Sequence, residues 1–160
     1  RITEMAWANS KVFVAFLDAA LANAQAFDLS STGVDTFKAA LYDNDITPDN
    51  TVAIANTAYN AGQWTAAGNE VADGTEWDAG GEPLVSPALT IASATLKWDA
   101  NDTASGGTSA TLAAVHGCLV YDTTVSSYGI CYNYFGGAQS VTDGTFTIIW
   151  STNGIFTIAA

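Results

Sequence analysis

The chain has 160 residues and a mass of 16.6 kDa, enough for one domain with a sizeable core and too little for several. Hydrophobic residues make up 49% of it and charged residues only 12%, which excludes a disordered chain. The 16 acidic residues outnumber the 4 Lys and Arg, and the net charge of −12 repels nucleic acids and anionic membranes. We therefore expect a single domain over residues 1–160 that binds neither nucleic acid nor membranes.

The first predicted regular element lies near the N-terminus. Residues 1–10 follow no periodic pattern and are predicted to form an arm. Apolar residues then recur at three- and four-residue spacing, which indicates a helix near residues 10–25, and the segment 10–27 is assigned to it. The β-branched and aromatic residues at 12–17 also suit a strand, which is the alternative.

The next predicted elements are one strand and a long run of loops. Residues 35–42 alternate between the two faces of a strand, with Phe37 on the apolar face. Asn, Asp and Pro residues end this strand, and Gly/Ala-rich loops are predicted over 43–82, where only the stretch at 52–59 suits a short helix. We expect the two Trp residues of this region to anchor the loops to the body of the domain. They are Trp64 and Trp77.

The rest of the sequence is rich in β-forming residues separated by short turns. The predicted strands lie at 89–98, 112–121, 129–135, 145–150 and 155–158. A hairpin dipeptide, Asn153-Gly154, precedes the last of them. Short strands without alternating long helices predict a mainly β body over 34–160, either an antiparallel sandwich or a small barrel.

The two cysteines flank the hairpin predicted between the second and third of these strands. If Val120 pairs with Gly129, then Cys118 and Cys131 lie opposite one another. A disulfide there would need a close, non-hydrogen-bonded pair. The alternative is a pair of buried thiols, which a reducing cytosol favours.

Other side chains with catalytic or metal-binding chemistry are few. The single His, His116, lies two residues from Cys118 on an apolar strand, and no further ligand or oriented base completes a site there. Asx-rich clusters near Asp43 and Asp99 lack the Gly and Glu of a calcium loop and are predicted to be turns. Acidic residues around Trp77 are interpreted as solvated loop residues and not as glycosidase carboxylates. They are Glu70, Asp73, Glu76, Asp78 and Glu82. We expect no enzymatic activity, no cofactor and no metal.

Seven short segments, spread over nearly the whole chain, carry a resemblance. They are MAWANS at 5–10, DTFKAALY at 35–42, AYNAGQW at 58–64, WDANDTAS at 98–105, GCLVYD at 117–122, YFGG at 134–137 and GTFT at 144–147. In this order they resemble small virion structural proteins of tailed bacteriophages, particularly phages that infect actinobacteria. The resemblance implies a capsid decoration (cement) protein, made in the host cytoplasm and located on the capsid surface of the virion. It implies a homotrimer bound to the major capsid protein, and it supplies no catalytic residues.

Two alternatives accompany this interpretation. One is a tail or fibre component of the same virion. The other is a carbohydrate-binding β-sandwich, in which Trp64, Trp77 or Tyr134 would stack on sugar rings. A row of exposed, coplanar aromatic side chains would favour the carbohydrate-binding module.

The apolar residues of the N-terminal arm suggest how the protein attaches to its partners. Ile2, Met5 and Trp7 lie outside any predicted regular element, so we expect a neighbouring copy or the capsid to cover them. Trp7 is therefore predicted to be an interface anchor, because buried Trp side chains dominate many interfaces.

Overall fold

A computed structural model of the chain describes residues 7–159 and consists mainly of antiparallel strands. The predicted mainly β fold, with one helix near the N-terminus, is confirmed. Its strands are β1 (Lys11–Val12), β2 (Phe37–Tyr42), β3 (Glu82–Pro83), β4 (Ala88–Ala92), β5 (Thr95–Asp99), β6 (Thr103–Ala104), β7 (Ala110–Asp122), β8 (Gly129–Gly144), β9 (Thr147–Ile148) and β10 (Phe156–Ala159). The helix α1 spans Val14–Leu21, and short 3-10 helices span Ile54–Asn56 and Gly62–Trp64.

The largest sheet has five strands in the order β1-β8-β7-β2-β3. Its central strand pair joins β7 to β8, and β2 pairs with the other side of β7. The predicted alternation along β2 is only half correct, because Ala40 and Tyr42 are as buried as Phe37. Loop residues cover this second face, and the Tyr42 hydroxyl donates a hydrogen bond to the Trp64 carbonyl at 2.8 Å. This sheet therefore forms the centre of the core.

The helix is shorter than the predicted span of 10–27. Its first predicted residues form β1 instead, because Lys11 and Val12 pair with Tyr132 and Cys131 near the start of β8. The helix ends at Leu21, and Asn23 adopts a left-handed conformation with φ of 53° just beyond it. Pairing with a distant strand thus takes precedence over local helical spacing at the start of this segment.

The second sheet has three strands in the order β10-β5-β4. The segment predicted as one strand, 89–98, is a hairpin in which Ser93 takes a positive φ of 55° at the turn. The last strand also differs from its prediction. Gly154 lies in a turn, but β10 pairs with β5 and β9 pairs with β6, so the Asn153-Gly154 dipeptide does not join a hairpin.

The predicted 145–150 strand is reduced to β9 and forms a two-stranded sheet with β6. The loops over 43–82 are anchored as expected, because Trp64 and Trp77 are fully buried. Of the stretch at 52–59, only the 3-10 turn of Ile54–Asn56 is helical.

Candidate functional sites

The cysteine pair lies in the β7–β8 hairpin with a register different from the predicted one. Val120 pairs with Cys131, and Cys118 pairs with Asn133, so the two cysteines are not directly opposite. Gly129 pairs with Tyr121 and not with Val120, and a bulge between Val120 and Tyr121 shifts the register by one further residue. Both cysteines are free, buried thiols.

These thiols are poor nucleophiles. Burial raises the pKa of Cys118, with a further contribution from nearby Cys131. Burial also raises the pKa of Cys131, to about 12. Because the reactive species is the thiolate, both side chains stay protonated at neutral pH and act as small apolar groups of the core.

His116 is half-buried on β7. Its Nδ1 lies 2.9 Å from the Ala114 carbonyl oxygen and donates a hydrogen bond to it. Within residues 7–159, no group of three or more His, Cys, Asp and Glu side chains could hold a metal ion. His116 therefore has a structural environment on the strand and no neighbouring ligand set.

The Asx-rich cluster near Asp43 forms turns, as predicted, whereas Asp99 ends β5 and its carboxylate pairs with Lys97 Nζ at 2.9 Å. The Asp43 carboxylate accepts a hydrogen bond from the Asp45 backbone N–H at 2.9 Å. Asp49 accepts one from the Thr51 backbone N–H at 2.8 Å and another from its hydroxyl at 2.7 Å. Local backbone groups therefore occupy these carboxylate oxygens.

Asp73 shows that the acidic residues around Trp77 are not merely solvated, which contradicts the prediction. Its Oδ1 accepts backbone N–H groups from Thr75, Glu76 and Trp77 at 2.8–3.0 Å. Its Oδ2 accepts the Thr111 backbone N–H of β7 at 3.0 Å. These hydrogen bonds, led by that from Trp77, hold the pKa of Asp73 well below its usual range. The side chain fastens the loop to the five-stranded sheet.

Glu70 has a similar structural role. Its two carboxylate oxygens accept the Tyr59 hydroxyl at 2.8 Å and the Gly80 N–H at 2.6 Å. Tyr59 stacks on Tyr121, whose hydroxyl donates to the Gly80 carbonyl at 2.8 Å. Glu70 thus joins Tyr59 to the turn at Gly80, which also contacts Tyr121 of β7.

A buried carboxyl at the end of β7, Asp122, was not singled out from the sequence. Its Oδ1 accepts the backbone N–H groups of Thr124 and Val125 at 2.7 and 3.0 Å. Its Oδ2 has no hydrogen-bond partner within the described residues. Burial, aided by nearby Asp35, raises the pKa of Asp122 to about 6. In sequence it looks like an ordinary turn residue, and only the packing around it reveals the difference.

Trp7 is not an exposed interface anchor, which corrects the prediction. It is fully buried in the core of its own chain, where its indole Nε1 donates to the Asp43 carbonyl at 2.6 Å. Its ring packs edge-on against Trp64 at 5.8 Å, and a Cβ at Gly117 would overlap it. Ile2 and Met5 lie outside the described residues.

Aromatic side chains also bear on the carbohydrate-binding alternative. Trp64 and Trp77 are fully buried, so neither stacks on an external sugar, and this part of the prediction is wrong. The five Trp, six Tyr and seven Phe all lie within residues 7–159, and each is at least partly buried. No coplanar row of exposed rings is present in the described chain. Tyr134 is half-buried and keeps some exposed surface.

One face of the three-stranded sheet is apolar, and only part of this face is buried in the core. Paired residues of neighbouring strands share a face of a sheet, and this face bears six apolar side chains. They are Leu89 and Ile91 of β4, Leu96 and Trp98 of β5, and Phe156 and Ile158 of β10. At one end, Trp98 is fully buried and packs against Phe37 at 5.1 Å.

At the other end of the same face, Ile91 is 81% exposed. Its neighbours in the row are half-buried Leu96 and exposed Ile158. We call the more exposed part of this face, formed by Leu89, Ile91, Leu96 and Ile158, the sheet apex. The sequence indicates this apolar face through the alternation of apolar residues within 89–98, once the turn at Ser93 is recognised. A contiguous apolar row of this kind is typical of an interaction surface.

Comparison with known proteins adds no further assignment. Searches against protein families, curated proteins and solved structures found no match. Within the described residues, no helix is both long and apolar enough to cross a bilayer.

Proposed function

We propose that this chain is a non-enzymatic structural protein of a tailed-bacteriophage virion, and that it decorates the outer surface of the capsid as a homotrimer. The observation that carries the proposal is the sheet apex, where Ile91 is 81% exposed. An apolar surface of this kind is stable in water when a partner covers it. The segment resemblance to phage structural proteins supports the virion as the setting.

The electrostatics of the chain favour contact through this surface. A net charge of −12 makes two copies repel each other over most of their surfaces. The sheet apex bears no charged residue, so it is the place where copies meet at the lowest electrostatic cost. Its two outer strands, β4 and β10, also contain no charged residue and have no strand paired to their outer edges within the described chain.

The first experiment tests self-association. Replacing Ile91 and Ile158 together with Ser should convert an oligomer into a monomer, measured by analytical ultracentrifugation. The matched control is Val34→Ser, because Val34 is 82% exposed but lies in the loop before β2. A wild-type protein that is already monomeric at micromolar concentration, and that occurs as isolated copies on particles, would sink the proposal.

A second experiment tests the capsid partner. Purified wild-type protein is added to undecorated capsids, and bound copies are counted after sedimentation. Hundreds of copies per particle support a head decoration protein. A few copies at one vertex or on the tail support the second candidate, a tail or fibre component. That candidate rests on the same apolar surface and the same resemblance, and copy number separates the two.

A further inference from the structure

A cleft that shares no lining residue with the sheet apex offers a second binding surface. It lies between the segment 146–155 and the part of β8 that follows the residues paired with β1. Its volume is about 470 Å³. This volume falls in the range of about 300–1,000 Å³ that is usual for ligand sites. We propose that the cleft binds an uncharged saccharide. This inference goes beyond the proposed structural function and does not depend on it.

The lining of the cleft has the chemistry that sugar recognition requires. Tyr134, Phe135 and Trp150 supply aromatic surface, while Asn133 and Gln139 supply side-chain amides. None of the residues that line it is charged, although the chain as a whole has a net charge of −12. An ionised ligand would leave its charge unpaired there, and an anion would also be repelled. The lining therefore selects a neutral ligand with both apolar faces and hydroxyl groups.

The aromatic side chains are held in place before any ligand arrives. Tyr134 stacks on buried Trp7, with ring centroids 6.4 Å apart and planes 20° from parallel. The Trp150 indole Nε1 donates a hydrogen bond to the Thr103 hydroxyl at 3.2 Å. Rings fixed in this way lose little conformational entropy on binding, which benefits a weakly held ligand such as a saccharide.

The amide groups retain hydrogen-bonding capacity. The Asn133 Nδ2 donates to the Cys131 sulfur at 3.7 Å, which is a weak acceptor. The Gln139 Nε2 donates to the Gly137 carbonyl at 3.3 Å, and the second hydrogen of this amide group remains available. Sugar hydroxyls both donate and accept hydrogen bonds, so both amides suit them.

An extended peptide fits the cleft less well. A peptide that adds a strand to a sheet requires free backbone N–H groups along the edge. Here the backbone N–H groups of Tyr134, Phe146 and Trp150 already donate to side-chain oxygens of the same chain. Gly136 and Gly137, with φ of 80° and 148°, also interrupt the regular edge of β8. The cleft thus presents side chains more than backbone.

The test is titration of the intact protein with neutral oligosaccharides, followed by two-dimensional NMR of backbone amides and Trp indole N–H groups. The probes are glucan, mannan, galactan and chitin hexasaccharides. We expect at least one probe to give saturable shifts confined to residues of the cleft, including the Trp150 indole. Gln139→Ala should weaken binding of that probe about 3- to 10-fold, the loss of one or two hydrogen bonds.

The matched control is Asn101→Ala, which removes an exposed amide outside the cleft and should leave the affinity unchanged. Phe135→Leu keeps apolar volume but removes the aromatic face, and should weaken binding without unfolding the protein. If no probe shifts the cleft resonances at millimolar concentration, the proposal is wrong. A response to an uncharged Ser/Thr-rich peptide, with none to the saccharides, overturns it in favour of a peptide site.

Discussion

The five-stranded and three-stranded sheets bury their apolar side chains to very different extents. In the larger sheet, loops cover the second face of β2, so Ala40 and Tyr42 are buried together with Phe37. In the smaller sheet, one face runs from fully buried Trp98 to Ile91, which is 81% exposed. The larger sheet completes its own core within the chain, whereas the smaller one leaves part of an apolar face exposed.

Because of this difference, we expect the larger sheet to determine the stability of the fold and the sheet apex to determine association between molecules. Substitutions in the larger sheet should change the free energy of unfolding and leave association intact in molecules that remain folded. Substitutions at the sheet apex should weaken association and leave the free energy of unfolding nearly unchanged.

The largest effect is expected at Trp7. Trp7→Ala removes a fully buried ring and the hydrogen bond to the Asp43 carbonyl, and should lower the free energy of unfolding by about 3–5 kcal/mol. Denaturant unfolding followed by circular dichroism measures this change. Trp7→Phe, which restores part of the volume, should fall between the wild type and the Ala variant. A loss below about 1 kcal/mol would mean that this ring is not part of the core.

A smaller effect is expected from the loop that Asp73 fastens to β7. Asp73→Ala removes the acceptor of four backbone N–H groups and should cost about 1–3 kcal/mol. Because the folded-state pKa is lowered, this stabilisation is present above about pH 4 and is lost as the pH falls further. Unfolding curves at several pH values measure it. Equal acid sensitivity of wild type and variant would contradict the assignment.

Substitutions at the sheet apex should barely change the free energy of unfolding. The double variant Ile91→Ser and Ile158→Ser should change the free energy of unfolding of the monomer by no more than about 0.5 kcal/mol per site, because both side chains are exposed. The same variant should weaken self-association at least about tenfold, which corresponds to about 1.4 kcal/mol. Sedimentation equilibrium and chemical unfolding of one preparation give both numbers. If the double variant loses stability but associates as strongly as the wild type, the sheet apex belongs to the core and is not the association surface.

At Asp122 the expected effect is a pH dependence of the free energy of unfolding. Its pKa is raised to about 6 in the folded state, so its contribution to stability is full below about pH 4 and is lost as the pH rises through 6. Asp122→Asn keeps an Oδ1 acceptor for Thr124 and Val125 and cannot ionise. We therefore expect a flatter stability profile between pH 4 and 6 in this variant, measured by thermal unfolding. An unchanged profile would assign the titration to another carboxyl.

Local patterns predicted the elements well where the signals lie close together in sequence. The turn between β7 and β8 was located correctly, because β-forming residues flank a run of Asp, Thr and Ser. Its register was not, since the bulge depends on distant packing. A Cβ at Gly129 would overlap the Thr57 carbonyl and the Phe13 ring, contacts that no local pattern reveals.

The same distinction applies to the candidate sites. Trp7 follows no periodic pattern, and its burial depends on Gly117, which lies 110 residues later in the chain. The cleft and the Asp122 environment likewise depend on contacts between distant segments. The sheet apex is different, because Leu89, Ile91, Leu96 and Trp98 alternate visibly once the segment is divided at Ser93. Recognition of that single turn would have predicted the surface on which the proposed assembly depends.

The strand pairing of the five-stranded sheet also determines when β2 can find its partner during synthesis on the ribosome. The strand β2 ends at Tyr42, but its partner β7 ends at Asp122, so 80 residues separate the two. At about 5–20 residues per second, β2 waits roughly 4–16 s for its neighbour to be made. During this time its apolar side chains are open to chaperones and to other nascent chains. A premature stop before β7 should therefore yield an aggregation-prone fragment and not a smaller folded domain.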